Sequence, residues 1–247
     1  MYSVKPVPVK KGDRLLVPRF ASLILVFYFL LFSITPECLS GDNPSVKGET
    51  FPVRTQGSQS ITEEMVDLIV KVCDRSLPEK VESQLLTSKT GGYYAQKGIF
   101  VRTNIKDPNI LAAFNRVLKP GVRFLDLGSG DGRVVFLASL YGALSTGIEF
   151  DEDMFASGLT AREELSRSFD LSKTKLIKGD FFEADFSSFD VIYYFMGGSF
   201  EEKRLEEKLA TEMKPGAVLV GYIEHKAFDR LFSAGRVGKR VTIYEKR

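Results

Sequence analysis

The stretch VRFLDLGSGDGRVVFLA, residues 122–138, runs from a short apolar strand through a glycine turn into a helix. Phe124, Leu125 and Leu127 supply the strand, and Gly128, Gly130 and Gly132 follow at once. Val134, Val135, Leu137 and Ala138 then recur at helical spacing. Glycines permit positive φ and let the backbone approach a ligand, while the first turn of the helix offers N–H groups with no partner of their own. A nucleotide-like ligand fits such a turn. The dinucleotide-binding pattern is G-x-G-x-x-G, and here Arg133 stands where its third glycine belongs. Asp126, two positions before the first glycine, puts a carboxylate at the end of the strand.

Working outward, further strands are expected over residues 144–148, 175–177, 189–195 and 217–222. The second ends at Glu149, the third leads into Lys178-Gly179-Asp180-Phe181, and the fifth follows Met213-Lys214-Pro215-Gly216. D-x-G-x-G-x-G after an apolar strand, with these landmarks in this order, resembles the class I S-adenosylmethionine-dependent methyltransferases. The resemblance implies an α/β fold, a Rossmann-like doubly wound sheet, and S-adenosyl-L-methionine as cofactor. It also implies a binding set of Asp126, Gly128, Ser129, Gly130, Gly132, Glu149, Asp180 and Phe181. Glu149 would take the ribose hydroxyls, since a carboxylate can accept both hydrogen bonds of a diol. Asp180 and Phe181 would bracket the adenine. Asp126 either meets the amino end of the cofactor or holds the glycine turn through its N–H groups.

The strand over 189–195 ends in Tyr193-Tyr194-Phe195-Met196, without the N/D-P-P-Y/F signature of adenine and glutamine-amide methyltransferases. Together with the N-terminal apolar segment and the charged helix expected over 196–213, it resembles the small membrane-associated protein-lysine methyltransferases. That likeness implies methylation of a protein lysine or another amine. It departs at Gly91-Gly92-Tyr93-Tyr94-Ala95-Gln96-Lys97-Gly98-Ile99-Phe100, where that group carries an extended segment with a proline. Aromatic rings favour a cationic amine through cation–π attraction, which makes Tyr93, Tyr94, Tyr193 and Tyr194 candidates beside the methyl group. Strand alternation sends Tyr193 and Tyr194 to opposite faces, so at most one meets the cleft. His225, the single histidine, follows the fifth strand and is expected on a loop. Other functions left open are methylation of a phospholipid head group or small molecule, a cofactor-binding module without catalysis, and a nicotinamide-dinucleotide-binding module.

The rest of the 247 residues agrees with this frame. Formal charge is +2, from 34 Lys and Arg against 32 Asp and Glu, unlike a protein built to neutralise nucleic-acid phosphates. Cys38 and Cys73 are the only cysteines, too few for a disulfide framework or a four-ligand zinc site. Residues 1–40 form a basic and then apolar segment whose charge-free part, 20–36, suits a membrane anchor or a cleaved signal. The excess of positive charge before that run places the remainder outside the cytoplasm. The cofactor instead requires the catalytic domain on the side that holds S-adenosylmethionine, so topology and chemistry disagree. Residues 41–60 have linker composition. Residues 61–118 read as a helical lead-in, with helices after Thr62 and from Pro108, and residues 119–247 as the cofactor-binding domain. Its tail, 226–232 and 241–244, is expected as a helix and a closing strand.

Overall fold

The computed structural model describes residues 61–89, 91–95, 98–195, 202–222, 228 and 232–246. The apolar segment, the linker, Cys38, Met196 and His225 lie outside the described residues. No helix among those described is long and apolar enough to cross a membrane.

The lead-in opens with helix α1 (Glu63–Ser76), whose Val66, Ile69, Val72 and Cys73 are buried. Their 3–4-residue spacing is the stripe expected of an amphipathic helix, and Glu63 and Glu64 in its first turn complement the helix dipole. Helix α2 (Glu79–Thr87) starts directly after Pro78 and buries Val81 and Leu85. The lead-in is not helical throughout. Strands β1 (Gly92–Ala95) and β2 (Gly98–Val101) pair antiparallel, so the Gly-rich departure from the lysine-methyltransferase pattern is a hairpin. Helix α3 (Pro108–Val117) follows, capped by Asp107, whose carboxylate accepts from the Asn109 N–H, with Pro108 in its first turn.

The main domain alternates strands and helices: β3 (Arg123–Leu127), α4 (Arg133–Leu140), β4 (Leu144–Glu149), α5 (Glu152–Leu165), β5 (Lys175–Lys178), β6 (Val191–Phe195), α6 (Glu202–Glu212) and β7 (Val218–Tyr222). Strands β8 (Phe232–Val237) and β9 (Val241–Lys246) close it. The seven strands lie in the order β5-β4-β3-β6-β7-β9-β8; the first five are parallel and β9 is antiparallel to both β7 and β8. Each expected strand of residues 122–222 is present, with boundaries shifted by a residue or two. The expected helix over 226–232 falls almost wholly outside the described residues, and Phe232 opens β8 instead.

Helices cover both faces of the sheet. On one, Phe114 of α3 meets Phe124 and Tyr193 edge-on, inside a core shared with α1, α4 and α5. On the other, Leu205 and Leu209 of α6, with Met213 just beyond it, pack on Leu125, Ile192 and Leu219. Here α6 is also tied by charge. Glu212 accepts from the Phe186 N–H at 3.0 Å and pairs with Lys208 at 2.6 Å, whose ammonium lies over the Phe186 ring.

The chain travels from β3 through β4 to β5 on one side, then returns across β3 to β6 and β7. Between β3 and β6 the strand order reverses. Open parallel sheets bind ligands at such a switch point, outside the carboxyl ends of the strands.

Candidate active site at the β3–β6 switch point

Three alternate positions of the turn hold positive φ: +74° at Gly128, +55° at Gly130 and +81° at Gly132. L-residues with a Cβ pay about 1–2 kcal/mol for that conformation, which is why the turn is written with glycines. A close approach adds a fourth glycine that pattern reading passed over. A Cβ on Gly147 of β4 would stand 2.7 Å from both Ser129 and Val135. The missing side chain lets the turn and the start of α4 lie against β4.

Glu149 holds this turn. Its Oε2 accepts from the Gly130 N–H at 2.8 Å and its Oε1 from the Asp151 N–H at 2.6 Å. Each oxygen keeps a second lone pair, so the carboxylate remains able to accept from a diol. Burial pushes the Glu149 carboxyl up, against the pull of the backbone N–H groups of Asp151, Gly130 and Phe150. Of the two roles open to Asp126, holding the turn belongs instead to Glu149. Asp126 is buried at 3% exposure and has no hydrogen-bond partner among the described residues. Burial first, then the nearby charges of Glu149 and Asp131, raise it well above the ordinary carboxylate range. An acid so placed is costly without a partner, and a cationic amino group is the partner its chemistry suits. Ser129 likewise has a buried hydroxyl without a hydrogen-bond partner among the described residues.

Asp131, which the sequence pattern left without a role, is fully buried in the same turn and paired with Arg133. Arg133 Nε donates to Asp131 Oδ1 at 3.0 Å and to Oδ2 at 2.9 Å, and its Nη2 reaches Asp74 of α1 at 2.8 Å. Burial works against the Arg133 charge; Asp131 beside it outweighs that, and the guanidinium is held more firmly protonated. This explains the arginine where a dinucleotide site would carry glycine. Arg102, directly after β2, extends the network to Asp74 and to Glu82 of α2. The lead-in is therefore clamped to the glycine turn by charge.

The hairpin closes over the turn. A Cβ on Gly130 would meet the Phe100 ring at 2.7 Å, and Phe100 packs with Tyr93 on a small core of Leu77, Val81, Leu85 and Met154. The Tyr93 hydroxyl donates to Asp153 at 3.2 Å, which Lys80 pairs at 2.5 Å. Burial, then the charge of Asp151, push Tyr93 up to about 12. Asp180 caps a short 3-10 turn, Phe181–Glu183, by accepting from the Phe182 N–H at 3.0 Å. Phe181 lies 4.5 Å from the Phe182 ring, and edge-on to Tyr194.

The paired tyrosines separate as alternation requires. Tyr194 packs into the α6-side core, whereas Tyr193 stands beside Asp126 in register on the adjacent strand. Tyr193 is 1% exposed, and its hydroxyl lies by Thr103 with no hydrogen bond of normal geometry. Burial, then Asp126, raise it well above its ordinary value, so it stays protonated. The side chain of Tyr94 is outside the described residues.

With this geometry in view, the family pattern described as the ANTKMT methyltransferase domain matches residues 126–223. The chain is similar to a protein-lysine N-methyltransferase of Saccharolobus islandicus (strain REY15A), 29% identical over 99 residues. That match takes in 39% of this chain and 59% of the relative's length. Among solved structures, an RNA methyltransferase from Salinibacter ruber in complex with S-adenosyl-L-homocysteine is 25% identical, with a TM-score of 0.47, over 59% of this chain and 90% of that one. A protein from Pyrococcus horikoshii OT3 is 17% identical, with a TM-score of 0.47, over 58% of this chain and 90% of that one.

Proposed function

We propose that this chain, whose residues 126–223 form a class I S-adenosylmethionine-dependent methyltransferase domain, methylates the side-chain amine of a protein lysine. The observation that carries the reading is the meeting of Asp126, the glycine turn and Glu149 at the switch point, with Tyr193 beside Asp126. The fit to the cofactor is chemical. A buried, unpartnered carboxyl at Asp126 suits a cationic α-amino group, and the free lone pairs of Glu149 suit the ribose diol. Asp180 and Phe181, at the end of β5, are the pair for the adenine. When bound, S-adenosylmethionine supplies a methyl carbon made electrophilic by the sulfonium next to it.

The protein's part is positioning and exclusion of water, which can supply most of the barrier reduction for an in-line displacement. The turn fixes the cofactor end through backbone N–H groups. Phe100 and Tyr93 of the hairpin cover it. The likeness to a protein-lysine N-methyltransferase supports an amine acceptor. The uncharged run over 20–36 supports membrane attachment, with the catalytic domain on the side that holds the cofactor.

The test is incubation of the full chain with methyl-labelled S-adenosylmethionine and a membrane fraction, followed by amino-acid analysis. Methyl-lysine in protein is the expected product. Label confined to lipid would move the activity to a head-group methyltransferase, and cofactor binding without any transfer would leave a binding module.

A further inference from the structure

Beyond Tyr193, along the carboxyl ends of β6 and β7, lies a group of side chains that cofactor binding does not employ. Phe195 ends β6 opposite Tyr222, which ends β7. Their rings stack with centroids 5.3 Å apart and planes 17° from parallel. The Tyr222 hydroxyl donates to Asp107 Oδ2 at 3.1 Å, and Arg240, from the turn between β8 and β9, donates to the Tyr222 oxygen at 3.3 Å. Arg240 thereby turns the Tyr222 hydrogen onto Asp107. Asp107 Oδ1 already accepts from the Asn109 N–H at 2.8 Å and from the Asn109 side-chain amide at 2.7 Å.

We infer that the stacked rings of Phe195 and Tyr222, together with the Asp107 carboxylate, seat the primary ammonium group of the methyl acceptor. The inference rests on the methyltransferase reading and names the acceptor end of the same cleft. Three observations carry it. Asp107 and Tyr222 are buried, at 6% and 7% exposure, and place a hydrogen-bonded polar pair at the strand ends, on the margin of the core that holds the Tyr222 ring. Asp107 is more than a helix cap, because capping occupies Oδ1 and leaves Oδ2 to Tyr222 and one further donor. The Tyr193 hydroxyl, buried and without a normal hydrogen bond among the described residues, feels the charge of Asp126 on one strand and of Asp107 and Tyr222 as well.

The chemistry selects a cation. Aromatic faces carry negative charge density and draw an ammonium, and a carboxylate completes its hydrogen bonding. The acceptor enters as an ammonium and releases one proton to solvent. Its nitrogen lone pair then forms the N–C bond as the C–S bond breaks, and the electron pair of that bond returns to sulfur. The products are a methylammonium and a thioether, with one proton released overall. Asp107 is a positioning residue in this step. An anion beside an ammonium favours its charged form, so Asp107 strengthens binding and moves amine deprotonation to higher pH.

The experiment uses the full chain, labelled S-adenosylmethionine, and two probes with primary ammonium groups, poly-L-lysine and phosphatidylethanolamine vesicles. Asp107→Asn keeps the helix cap, since asparagine caps as well as aspartate. It is expected to raise KM for the accepted amine about tenfold or more. S-adenosylhomocysteine affinity is expected to stay unchanged, and the rising limb of the rate profile, set by deprotonation of the bound amine, to move to lower pH. Tyr222→Phe, which keeps the ring, should raise KM less, and Tyr222→Leu more. Methylation of poly-L-lysine alone identifies the amine source as protein; methylation of the vesicles alone identifies it as lipid. An Asp107→Asn protein with wild-type KM and pH profile overturns the seat while leaving the methyltransferase reading intact. A wild-type chain that binds no cofactor, or transfers to neither amine, overturns that reading and the seat with it.

Discussion

Removing the Arg133 guanidinium should unfold the cofactor site from within. In Arg133→Met the stem still fills its space, but Asp131 is left as an isolated charge at the centre of the glycine turn. The side chains of Arg133 and Asp131 are 5% and 1% exposed. Breaking a buried pair of this kind costs about 3–5 kcal/mol, because the remaining ion cannot return to water. The Asp74 arm adds little, as its side chain is 41% exposed and exposed pairs contribute at most about 1 kcal/mol. At roughly 2–4 °C per kcal/mol for a chain of this size, the melting temperature should fall by about 6–20 °C. Urea unfolding followed by tyrosine fluorescence, undisturbed by tryptophan because the chain has none, gives the midpoint and slope. The midpoint should fall at constant slope. The double variant Asp131→Asn/Arg133→Met should regain most of the loss, since it removes both charges, whereas Asp74→Asn alone should cost about 1 kcal/mol or less. An Arg133→Met protein within about 1 kcal/mol of wild type, or a double variant whose losses simply add, would refute the claim that this pair holds the turn.

Two further outcomes follow from the same site. The raised pKa of Asp126 means that the carboxyl favours the folded chain while protonated, a contribution complete below the ordinary carboxyl range and lost as pH rises through the raised value. Asp126→Asn should therefore melt higher than wild type by a margin that grows with pH in the cofactor-free protein, while binding S-adenosylhomocysteine more weakly; a margin independent of pH would contradict the assigned burial. Gly130→Ala places a Cβ 2.7 Å from the Phe100 ring at a φ of +55°. It should cost about 1–2 kcal/mol in backbone strain alone and weaken S-adenosylhomocysteine binding measured by calorimetry. Adding Phe100→Ala should relieve the contact but not the strain, so a fully restored melting temperature would show that strain is not the cost.

Much of the sheet could be read from the chain because its signals are local. Leu125, Leu127 and Ile148 are apolar on strands of ordinary length, and the three turn glycines announce a backbone that only glycine enters cheaply. That Glu149 ends its strand is legible for the same reason, and the inner face of α6 follows from the spacing of Leu205, Leu209 and Met213. The hairpin was harder. Gly92–Val101 carries no turn pair of the tight-hairpin kind at a position that local rules would single out, and its apolar face is completed only by α2 and Met154 of α5. Strand β8 shows no clean alternation and acquires its partner only when β9 is in place.

What the sequence by itself determined is the type of fold, the order of the elements from β3 to β7 and the residues of the turn. These depend on periodicity, φ preference and chain order, which neighbouring residues settle among themselves. What only the tertiary structure decided is who pairs with whom across the chain. Asp131, Arg133 and Asp74 lie up to 59 positions apart and form one buried network. Tyr222 and Asp107, separated by 115 positions, share a hydrogen bond that no pattern announces. Glu149 holds the glycine turn through the Gly130 N–H, 19 positions away, where the absent side chain of Gly147 lets the turn lie against β4. Buried charges acquire their meaning from distance and solvent exclusion, and both exist only after the sheet has closed.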